Sequence, residues 1–461
     1  GMQNNRDTIA AVATPPGVGA IGVVRVSGPD SIPLVNRFFD GADLESEPGY
    51  RLHFGRIHRP DGTLLDEVLL SLFRAPRSYT GEDSVEISCH GSPYILQEVL
   101  NLLLHAGARS AQPGEFTQRA FLNGRLDLSQ AEAVADLIAS ETQASHTLAM
   151  SQLKGGIKEE IGRLRASLLD FISLIELELD FAEEDVEFAN RNQLKELLQR
   201  LQLEIRRLQD SFVLGNAVRH GIQTVIAGKP NAGKSTLLNA LLNEERALVS
   251  EIAGTTRDTI EEKLNINGIG FQFIDTAGLR ETGDVVEEMG VKRTMEKLRS
   301  ARIAIYVFDV NETPPAALQE ELKALMEGEQ EWLAVANKMD LNPYVDYHTY
   351  VSEQLPADRI IPCSAKNKMN IDYLKERLYQ LALGDRKMQA DTVAVNARHL
   401  DALNRASDSI HDALSGIESK IQTDLLAQSI RRAIYELSEI SGEITSDEVL
   451  GNIFGKFCIG K

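Results

Sequence analysis

The feature that most constrains this chain is a glycine-rich segment near its middle, Gly228-Lys229-Pro230-Asn231-Ala232-Gly233-Lys234-Ser235. It follows an apolar run at 224–227, typical of a strand, and precedes a helical pattern. A glycine-rich loop in that context is a P-loop, whose backbone N–H groups surround phosphate oxygens at a helix N-terminus. Lys234 is predicted to reach the β- and γ-phosphates as a catalytic cation, and the Ser235 hydroxyl to bind Mg²⁺. The chain must therefore contain a sheet with this loop at its edge.

Three further motifs follow in the order that a guanine-nucleotide site requires: Asp275-Thr276-Ala277-Gly278, Asn337-Lys338-Met339-Asp340 and Ser364-Ala365-Lys366. Asp275 can hold the Mg²⁺ shell, and the Gly278 amide can meet the γ-phosphate. The Asp340 carboxylate can accept two hydrogens from guanine, a donor pair that adenine lacks. Together the motifs predict GTP and GDP binding.

A switch segment lies between these motifs, at Gly254-Thr255-Thr256-Arg257-Asp258-Thr259. Thr256 is the expected second protein ligand of Mg²⁺. Leu279 stands where many GTPases carry a glutamine that orients the attacking water, and leucine cannot hydrogen-bond water. Glu287 is the candidate replacement, although from spacing alone a solvated acidic loop is the simpler interpretation.

The pattern of apolar residues predicts several domains. Mixed α/β character gives way to helical periodicity, then to a βαβ rhythm around the P-loop, then to helix again. Capping boxes are predicted at Ser129 with Glu132 and at Thr445 with Glu448. The predicted fold is an α/β P-loop GTPase domain inserted into a discontinuous α-helical domain, preceded by an α/β N-terminal domain. The expected boundaries are 1–123, 124–219, 220–385 and 386–461.

The composition indicates which partners and which cellular compartment suit the protein. The formal charge of −20 disfavours general binding to nucleic acid, so an RNA contact needs a local basic patch or a partner. The three cysteines fit a reducing cytoplasm and provide neither a disulfide framework nor a zinc motif. No apolar run is long enough to span a membrane, so we expect no membrane association.

Motifs along almost the whole chain resemble the bacterial tRNA-modification GTPases of the MnmE (TrmE) family. Besides the P-loop and the segment 254–258, they are Ala13-Thr14-Pro15-Pro16-Gly17, Tyr79-Thr80-Gly81-Glu82-Asp83, Pro113-Gly114-Glu115-Phe116, Arg119-Ala120-Phe121-Leu122-Asn123 and Phe457-Cys458-Ile459-Gly460-Lys461. The resemblance implies that the N-terminal α/β domain binds folate and forms a homodimer. It also implies a hetero-oligomer with MnmG (GidA), which uses FAD and NADH.

That resemblance implies a function as well. With MnmG, the protein would build a carboxymethylaminomethyl group on the wobble uridine of certain tRNAs. A tetrahydrofolate derivative, in its 5-formyl or methylene form, would supply the one-carbon unit. FAD would be bound by the partner only.

The resemblance assigns residues by position. The implied folate contacts are Arg25, Glu82, Arg125 and Lys461, with Arg125 standing where relatives carry lysine. The implied potassium site is Asn231, Ser250, Ile252 and Thr255, and Glu287 matches the family's water-positioning glutamate. The complete predicted nucleotide site is Asn231, Ala232, Gly233, Lys234, Ser235, Thr236, Ser250, Glu251, Ile252, Ala253, Gly254, Thr255, Thr256, Asp275, Thr276, Ala277, Gly278, Asn337, Lys338, Asp340, Ser364, Ala365 and Lys366.

From the residues alone, without the resemblance, Arg25 and Glu82 are interpreted as solvated charges. A lone Cys458 in an apolar segment reads as a buried hydrophobe. The family makes Cys458 a candidate catalytic nucleophile, with Lys456 and Lys461 as neighbours that could lower its pKa. Cys89 and Cys363 are predicted to be structural, and His90 a satisfied turn histidine.

Three functions remain open from the sequence. The first is a tRNA-modifying GTPase that works within a complex. The second is a switch or assembly GTPase with no chemistry beyond hydrolysis, which would not need the N-terminal domain or the final Cys-Ile-Gly-Lys. The third is a folate-dependent one-carbon enzyme regulated by GTP.

Overall fold

The computed structural model describes residues 7–181, 191–242, 262–274, 300–326, 328–342, 344–383, 393–419 and 423–461. The chain divides into two compact units. The first consists of Gly1–Ala139, Ala149–Gln209 and Ala397–Lys461, and the second of Ser140–Leu148 and Asp210–Asn396. The chain therefore leaves the first unit and later returns to it.

A seven-stranded sheet begins the first unit, in the order β3-β4-β5-β6-β2-β1-β7. Its neighbours pair antiparallel except for β1 with β7. One face packs apolar side chains such as Val24, Leu70 and Ile87 against helices, as expected for alternating strands. The elements are β1 Ile9–Val12, β2 Ile21–Ser27, α1 Ser31–Asn36, β3 Phe39–Asp40, β4 Arg51–His58, β5 Leu64–Phe73, β6 Ser84–His90, α2 Pro93–His105, β7 Arg109–Ser110 and α3 Glu115–Leu122.

Helices complete the first unit and bury the predicted apolar stripes, including Leu168 and Ile205. They are α4 Leu128–Ala139, α5 Gln143–Leu153, α6 Gly156–Phe181 and α7 Arg191–His220, then α11 Ala397–Glu418, α12 Thr423–Ser441 and α13 Asp447–Phe454. Two of these helices, α5 and α7, continue into the second unit. In the sequence, apolar residues at helical spacing run from Leu153 through Ile157 to Ile172 and predict one helix. The structure breaks that helix, because Gly155 adopts φ +104° between α5 and α6.

Both predicted capping boxes are wrong by one or two residues. At α4 the box is formed by Asp127 and Gln130: Asp127 Oδ1 accepts from the Gln130 N–H at 2.8 Å, and Gln130 Oε1 accepts from the Asp127 N–H at 3.0 Å. Glu132 instead pairs with Arg398 and His399. At α13 the N-cap is Ser446, whose hydroxyl accepts from the Val449 N–H. Several neighbouring polar residues could cap each helix, and the backbone conformation determines which of them does so.

The second unit is a six-stranded sheet in the order β13-β12-β11-β8-β10-β9. Apolar clusters cover both of its faces, as in doubly wound α/β folds. The elements are β8 Ile222–Ala227, α8 Lys234–Leu242, β9 Glu262–Ile266, β10 Ile269–Phe273, β11 Ile303–Asp309, α9 Pro315–Leu325, β12 Glu331–Asn337, β13 Ile360–Pro362 and α10 Ile371–Leu383. Strand β9, which the apolar pattern does not reveal, pairs antiparallel with β10.

The predicted fold class is confirmed: a parallel-sheet GTPase-type unit interrupts a helical domain that follows an α/β sheet. The four domain boundaries given above stay a prediction. Within the described ranges, no helix is long and apolar enough to cross a bilayer.

Candidate functional site

The P-loop lies between the end of β8 at Ala227 and the start of α8 at Lys234. Gly228 and Gly233 adopt φ of +150° and +100°. A Cβ on Gly228 would lie 2.3 Å from the Val307 carbonyl oxygen, and one on Gly233 would lie 2.2 Å from Asn337 Nδ2. Neither position has room for a side chain, so the glycines are required by packing as well as by backbone conformation.

Two lysines fold over this loop. Lys234 Nζ donates to the Gly228 carbonyl at 2.8 Å. Lys338 Nζ donates to the Asn231 carbonyl at 2.6 Å and lies 3.1 Å from Asp309 Oδ2. The loop thus combines two ammonium groups with the N-terminus of a helix, an arrangement suited to polyphosphate.

Asn337 connects the P-loop to the loop after β13. Its side chain is buried, Nδ2 donates to the Ala232 carbonyl at 2.8 Å, and Oδ1 accepts from the Ala365 N–H at 3.0 Å. Asp340 is exposed, and its Oδ1 accepts from the Ser364 hydroxyl at 2.9 Å. The base-reading motifs and the P-loop are therefore brought together at the carboxyl ends of β8 and β12, where such folds bind ligands.

The remaining nucleotide-site residues divide into two groups. Asn231, Ser235, Thr236 and Lys366 are exposed around the P-loop, α8 and the loop after β13. The others lie outside the described residues: Ser250, Glu251, Ile252, Ala253, Gly254, Thr255, Thr256, Asp275, Thr276, Ala277, Gly278 and Glu287. The same holds for Arg257 and Leu279.

A second site forms where the last residues meet the N-terminal sheet. The Lys461 carbonyl accepts from both the backbone N–H and the hydroxyl of Thr117, each at 2.7 Å. The Gly460 carbonyl accepts from Arg25 Nη1 at 3.0 Å. Gly460 adopts φ +97°, and a Cβ there would lie 2.7 Å from Ala13 Cα. The tail is thus held at consecutive residues and is specific for glycine at one of them.

Two cations share this region. Arg25 forms a 3.1 Å ion pair with Glu86, and its guanidinium lies 5.5 Å from the Tyr79 ring. Lys461 Nζ lies 4.4 Å from the same ring. Burial, reinforced by the nearby Arg25 cation, lowers the pKa of Lys461 below its ordinary value. Adjacent cations that repel each other are relieved by an anion, so the region favours a negatively charged ligand.

Glu82 lies in the turn before β6 and contacts β2 at Ser27, on the strand that carries Arg25. It accepts from Ser27, two residues after Arg25 on β2, at 2.9 Å, and from Arg119 at 3.1 Å. Its side chain is only 13% exposed. Arg125 is exposed and passes next to Gly81. The interpretation of Arg25 and Glu82 as solvated charges is therefore wrong.

The cysteines differ in environment. Cys458 is exposed, which overturns its interpretation as a buried hydrophobe. Cys89 and Cys363 are buried, and burial raises the pKa of each thiol to about 12, as suits structural residues. His90 Nδ1 lies 2.7 Å from Asp66 Oδ1, a satisfied histidine at the end of β6.

Sequence reasoning missed Ser27, Tyr79, Thr117 and Arg119 as parts of the second site. Thr117 and Arg119 are both buried on α3, although residues two apart lie on different faces of a helix. Their burial cannot be read from the sequence, because Thr and Arg on a short helix normally face water.

The chain is similar to known proteins along its whole length. A model of the MnmE helical domain matches residues 128–458, and a model of the N-terminus of the GTP-binding protein TrmE matches residues 8–125. The tRNA modification GTPase MnmE of Cytophaga hutchinsonii is 50% identical over 460 residues, which cover 100% of this chain and 99% of that protein.

The corresponding protein of Christiangramia forsetii is 50% identical over 471 residues, covering 99% of each chain. Among solved structures, the FeoB G domain from Methanococcus jannaschii matches 35% of this chain and 97% of its own, with 25% identity and a TM-score of 0.26.

Proposed function

Because this chain belongs to the MnmE family of tRNA modification GTPases, we propose that it helps to add a carboxymethylaminomethyl group to C5 of the wobble uridine of certain tRNAs. Family membership itself makes it a GTP hydrolase that binds GTP and GDP and acts in tRNA modification. The finer chemistry is our proposal. It requires a nucleotide site, a folate site and a partner.

At the nucleotide site, Lys234 binds the phosphates, and Asp340, in the same motif as Lys338, reads guanine. Mg²⁺ would be held by the Ser235 and Thr256 hydroxyls, with Asp275 in its outer shell, and would offset charge between the β- and γ-phosphates. Ser235 is exposed in the first turn of α8, beside the N-terminus that receives phosphate, so its hydroxyl fits that role. Glu287 orients the attacking water in place of the missing glutamine.

Potassium is the proposed second cation. Asn231 is exposed at φ +65° on the P-loop, and its neutral carboxamide oxygen suits a monovalent ion. Ser250, Ile252 and Thr255 would complete the cage when GTP orders the switch segment. K⁺ held there would offset charge that develops on the γ-phosphoryl group, and the ordered segment would pair with a second G domain.

The folate site is proposed at the tail. The observation that carries this proposal is the juxtaposition of Arg25, Lys461 and Glu82, which sequence separates widely and the fold brings together. Arg25, Lys461 and Arg125 suit the anionic glutamate of a folate, and Glu82 suits the N–H donors of its pterin ring. A bound 5-formyl or methylene tetrahydrofolate would supply the one-carbon unit, while these residues bind and orient it.

A homodimer through the N-terminal domains is part of the proposal. Leu52, Phe54 and Leu69 lie on the outward face of β4 and β5 and are 69%, 66% and 47% exposed. Phe54 and Leu69 are directly opposite in the strand register. An outward apolar cluster of this kind is suited to a self-complementary interface. We place the folate site at that interface.

The partner in the proposal is MnmG (GidA), which binds FAD, in a hetero-oligomer in the cytoplasm. Cys458 is exposed beside the tail site and is the candidate nucleophile. A switch or assembly GTPase remains the second candidate, but such a protein would not need a tail fixed by Thr117 and Arg25.

Titration of 5-formyl-tetrahydrofolate into the full chain tests the folate site. We expect saturable binding by the wild type and a loss of affinity of at least about 10-fold in the Arg25→Ala, Glu82→Ala double variant. An Arg163→Ala variant is the control, because Arg163 is an exposed arginine of helix α6 and lies outside the sheet that carries the proposed site. Equal affinity in the wild type and the double variant would contradict the proposal.

A further inference from the structure

Arg119 is the largest fully buried side chain of the described residues, with 1% of it exposed. Three carboxylates surround its guanidinium. Nη2 lies 2.5 Å from Asp7 Oδ1 and 3.5 Å from Glu115 Oε2, and Nη1 lies 3.1 and 3.2 Å from the two oxygens of Glu82. Nη1 also donates to the Asp7 carbonyl at 2.7 Å. The guanidinium is therefore fixed from two sides.

A second arginine anchors two of those carboxylates. Arg109 Nε donates to Asp7 at 2.5 Å, and Arg109 Nη2 donates to Glu115 at 2.5 Å. The hydrogen bond from Arg109 is the main reason that the pKa of Asp7 lies below its ordinary value. Asp7 and Glu115 thus each have two arginine partners. Glu82 contacts Arg119 and Ser27, and no contact with Arg109 is found in the described part of the chain.

This arrangement is poorly suited to stability alone. Burying a guanidinium among carboxylates costs desolvation, and well-packed apolar side chains often stabilise a core more. Among the described residues, Arg119 Nε is also buried without a hydrogen-bond acceptor, a further cost. Glu82 is the member of the network that also bonds Ser27 on β2, the strand whose Arg25 holds the tail, so the network ends beside the proposed folate site.

We propose that Arg119 is a positioning residue of the folate site, which holds the Glu82 carboxylate in place so that Oε2 can receive an N–H donor of the pterin ring. This inference rests on the proposed folate function. Glu82 Oε1 accepts from both Ser27 and Arg119, whereas Oε2 accepts from Arg119 at 3.2 Å. A carboxylate oxygen can accept two hydrogen bonds, so Oε2 retains capacity for the ring. Asp7 and Glu115 hold Arg119 in place, Arg119 holds Glu82 in place, and Oε2 of Glu82 selects a ring that presents an N–H donor.

The test compares two probes on the full chain by titration calorimetry: 5-formyl-tetrahydrofolate, and p-aminobenzoylglutamate, which carries the anionic tail without the ring. Arg119→Gln should weaken binding of the first about 10- to 100-fold and of the second less than about 3-fold. Arg74→Gln is the matched control, because Arg74 is a partly buried arginine of the same domain that donates to the backbone carbonyls of Glu47 and Leu44 and not to the carboxylates around Arg119. It should change the affinity for the first probe less than about 3-fold.

A double-mutant cycle separates positioning from general damage to the fold. In a Glu82→Ala background, Arg119→Gln should cause little further loss for the formyl folate, because the side chain that it positions is gone. Ser27→Ala is a milder second variant that removes the other donor to Glu82. It should lower affinity for the same probe several-fold, and only when Glu82 is present.

The outcomes are distinguishable. If the wild type binds neither probe, the folate function itself is wrong, and with it this inference. If the wild type binds but Arg119→Gln and Ser27→Ala leave affinity for the formyl folate unchanged, the positioning role is wrong and the folate site stands. Equal losses for both probes, or fully additive losses with Glu82→Ala, would likewise overturn the positioning role.

Discussion

The two sites are built in opposite ways. The described part of the nucleotide site consists of loops that directly follow parallel strands, and its longest link joins Lys338 to Asn231 across 107 positions. The tail site joins Arg25 to Gly460 across 435 positions and Thr117 to Lys461 across 344. A site made of strand-end loops can be identified from motifs and their order. A site made by a docked tail requires the three-dimensional fold.

The difference has a physical basis. In a parallel sheet the carboxyl ends of neighbouring strands lie at one edge, so the order of motifs along the chain nearly fixes their arrangement in space. No such rule places the last residues of a chain against its first strands. Long-range contacts and buried ion pairs must therefore hold the tail site together, and each of these contacts is sensitive to substitution.

The largest expected effect is on GTP hydrolysis at the nucleotide site. Replacing K⁺ by Na⁺ at matched ionic strength should slow GTP hydrolysis by up to ~10³-fold, the scale of an arginine finger, because the smaller ion fits the cage at Asn231 badly. Steady-state hydrolysis in the two salts measures the rate. The distance between G domains, measured with GDP and aluminium fluoride, should shorten only in K⁺. Equal rates in both salts, or full activity with the domains apart, would point to Arg257 instead.

Glu287→Ala should slow single-turnover hydrolysis by about 100-fold or more and leave GTP affinity nearly intact. A group that only orients water acts in the transition state and contributes little to ground-state binding. Rapid-quench kinetics and equilibrium binding of a GTP analogue separate the two quantities. The neighbouring Glu288→Ala is the control. An unchanged turnover rate would return Glu287 to a solvated loop.

Glu132→Gln should lower the local stability of the helical domain where α4 contacts α11. Glu132 on α4 is buried and joins Arg398 and His399 of α11. Burial alone would raise the pKa of its carboxyl, but His399 and Arg398 lower it to about 2 from an ordinary 4.5. The variant should lower the opening free energy of α4 and α11 by about 3 kcal/mol at neutral pH, as measured by hydrogen exchange.

The sign of the pH dependence follows from that lowered pKa. The contribution of Glu132 is fully present above pH 4.5 and is lost as the pH falls toward 2. The wild type and Glu132→Gln should therefore converge in acid. A difference in protection that stays constant from pH 6 to pH 3 would argue against this charge pair. Glu159→Gln, an exposed position on α6, serves as the control.

The smallest of these effects is expected for recognition of the guanine base. Asp340→Asn should weaken GTP binding about 10-fold, because the amide replaces one carboxylate acceptor by a donor. Xanthosine triphosphate should gain relative to GTP in a competition assay. An unchanged ranking of the two nucleotides would show that Asp340 does not read the exocyclic amine.

Much of the fold could be predicted from the sequence, because apolar periodicity records strands and helices wherever one face is buried. It fails at β9, whose pattern is weak, and at Gly155, where one apolar stripe continues across a break between helices. The capping boxes at Ser129 and Thr445 are misplaced because Asp127 and Ser446 offer equally good caps nearby.

At the sites, the P-loop and base motifs could be found by spacing, since each chemical role belongs to a short contiguous segment. Arg25, Glu82 and Lys461 could be found only through family resemblance, because nothing local distinguishes them from surface charges. Arg119 and Thr117 were not found, since their role depends on the burial of helix α3, which exists only in the folded chain.

The central claim is that both sites serve one reaction on tRNA. Its most direct test is mass spectrometry of wobble nucleosides in tRNA from cells that carry the wild type, no protein, Asp340→Asn, or the Arg25→Ala, Glu82→Ala double variant. We predict the carboxymethylaminomethyl uridine in the wild type and its loss or strong reduction in the other three strains. Full modification without the protein would contradict the claim, and full modification with the double variant would leave a GTPase whose tail site takes no part in the chemistry.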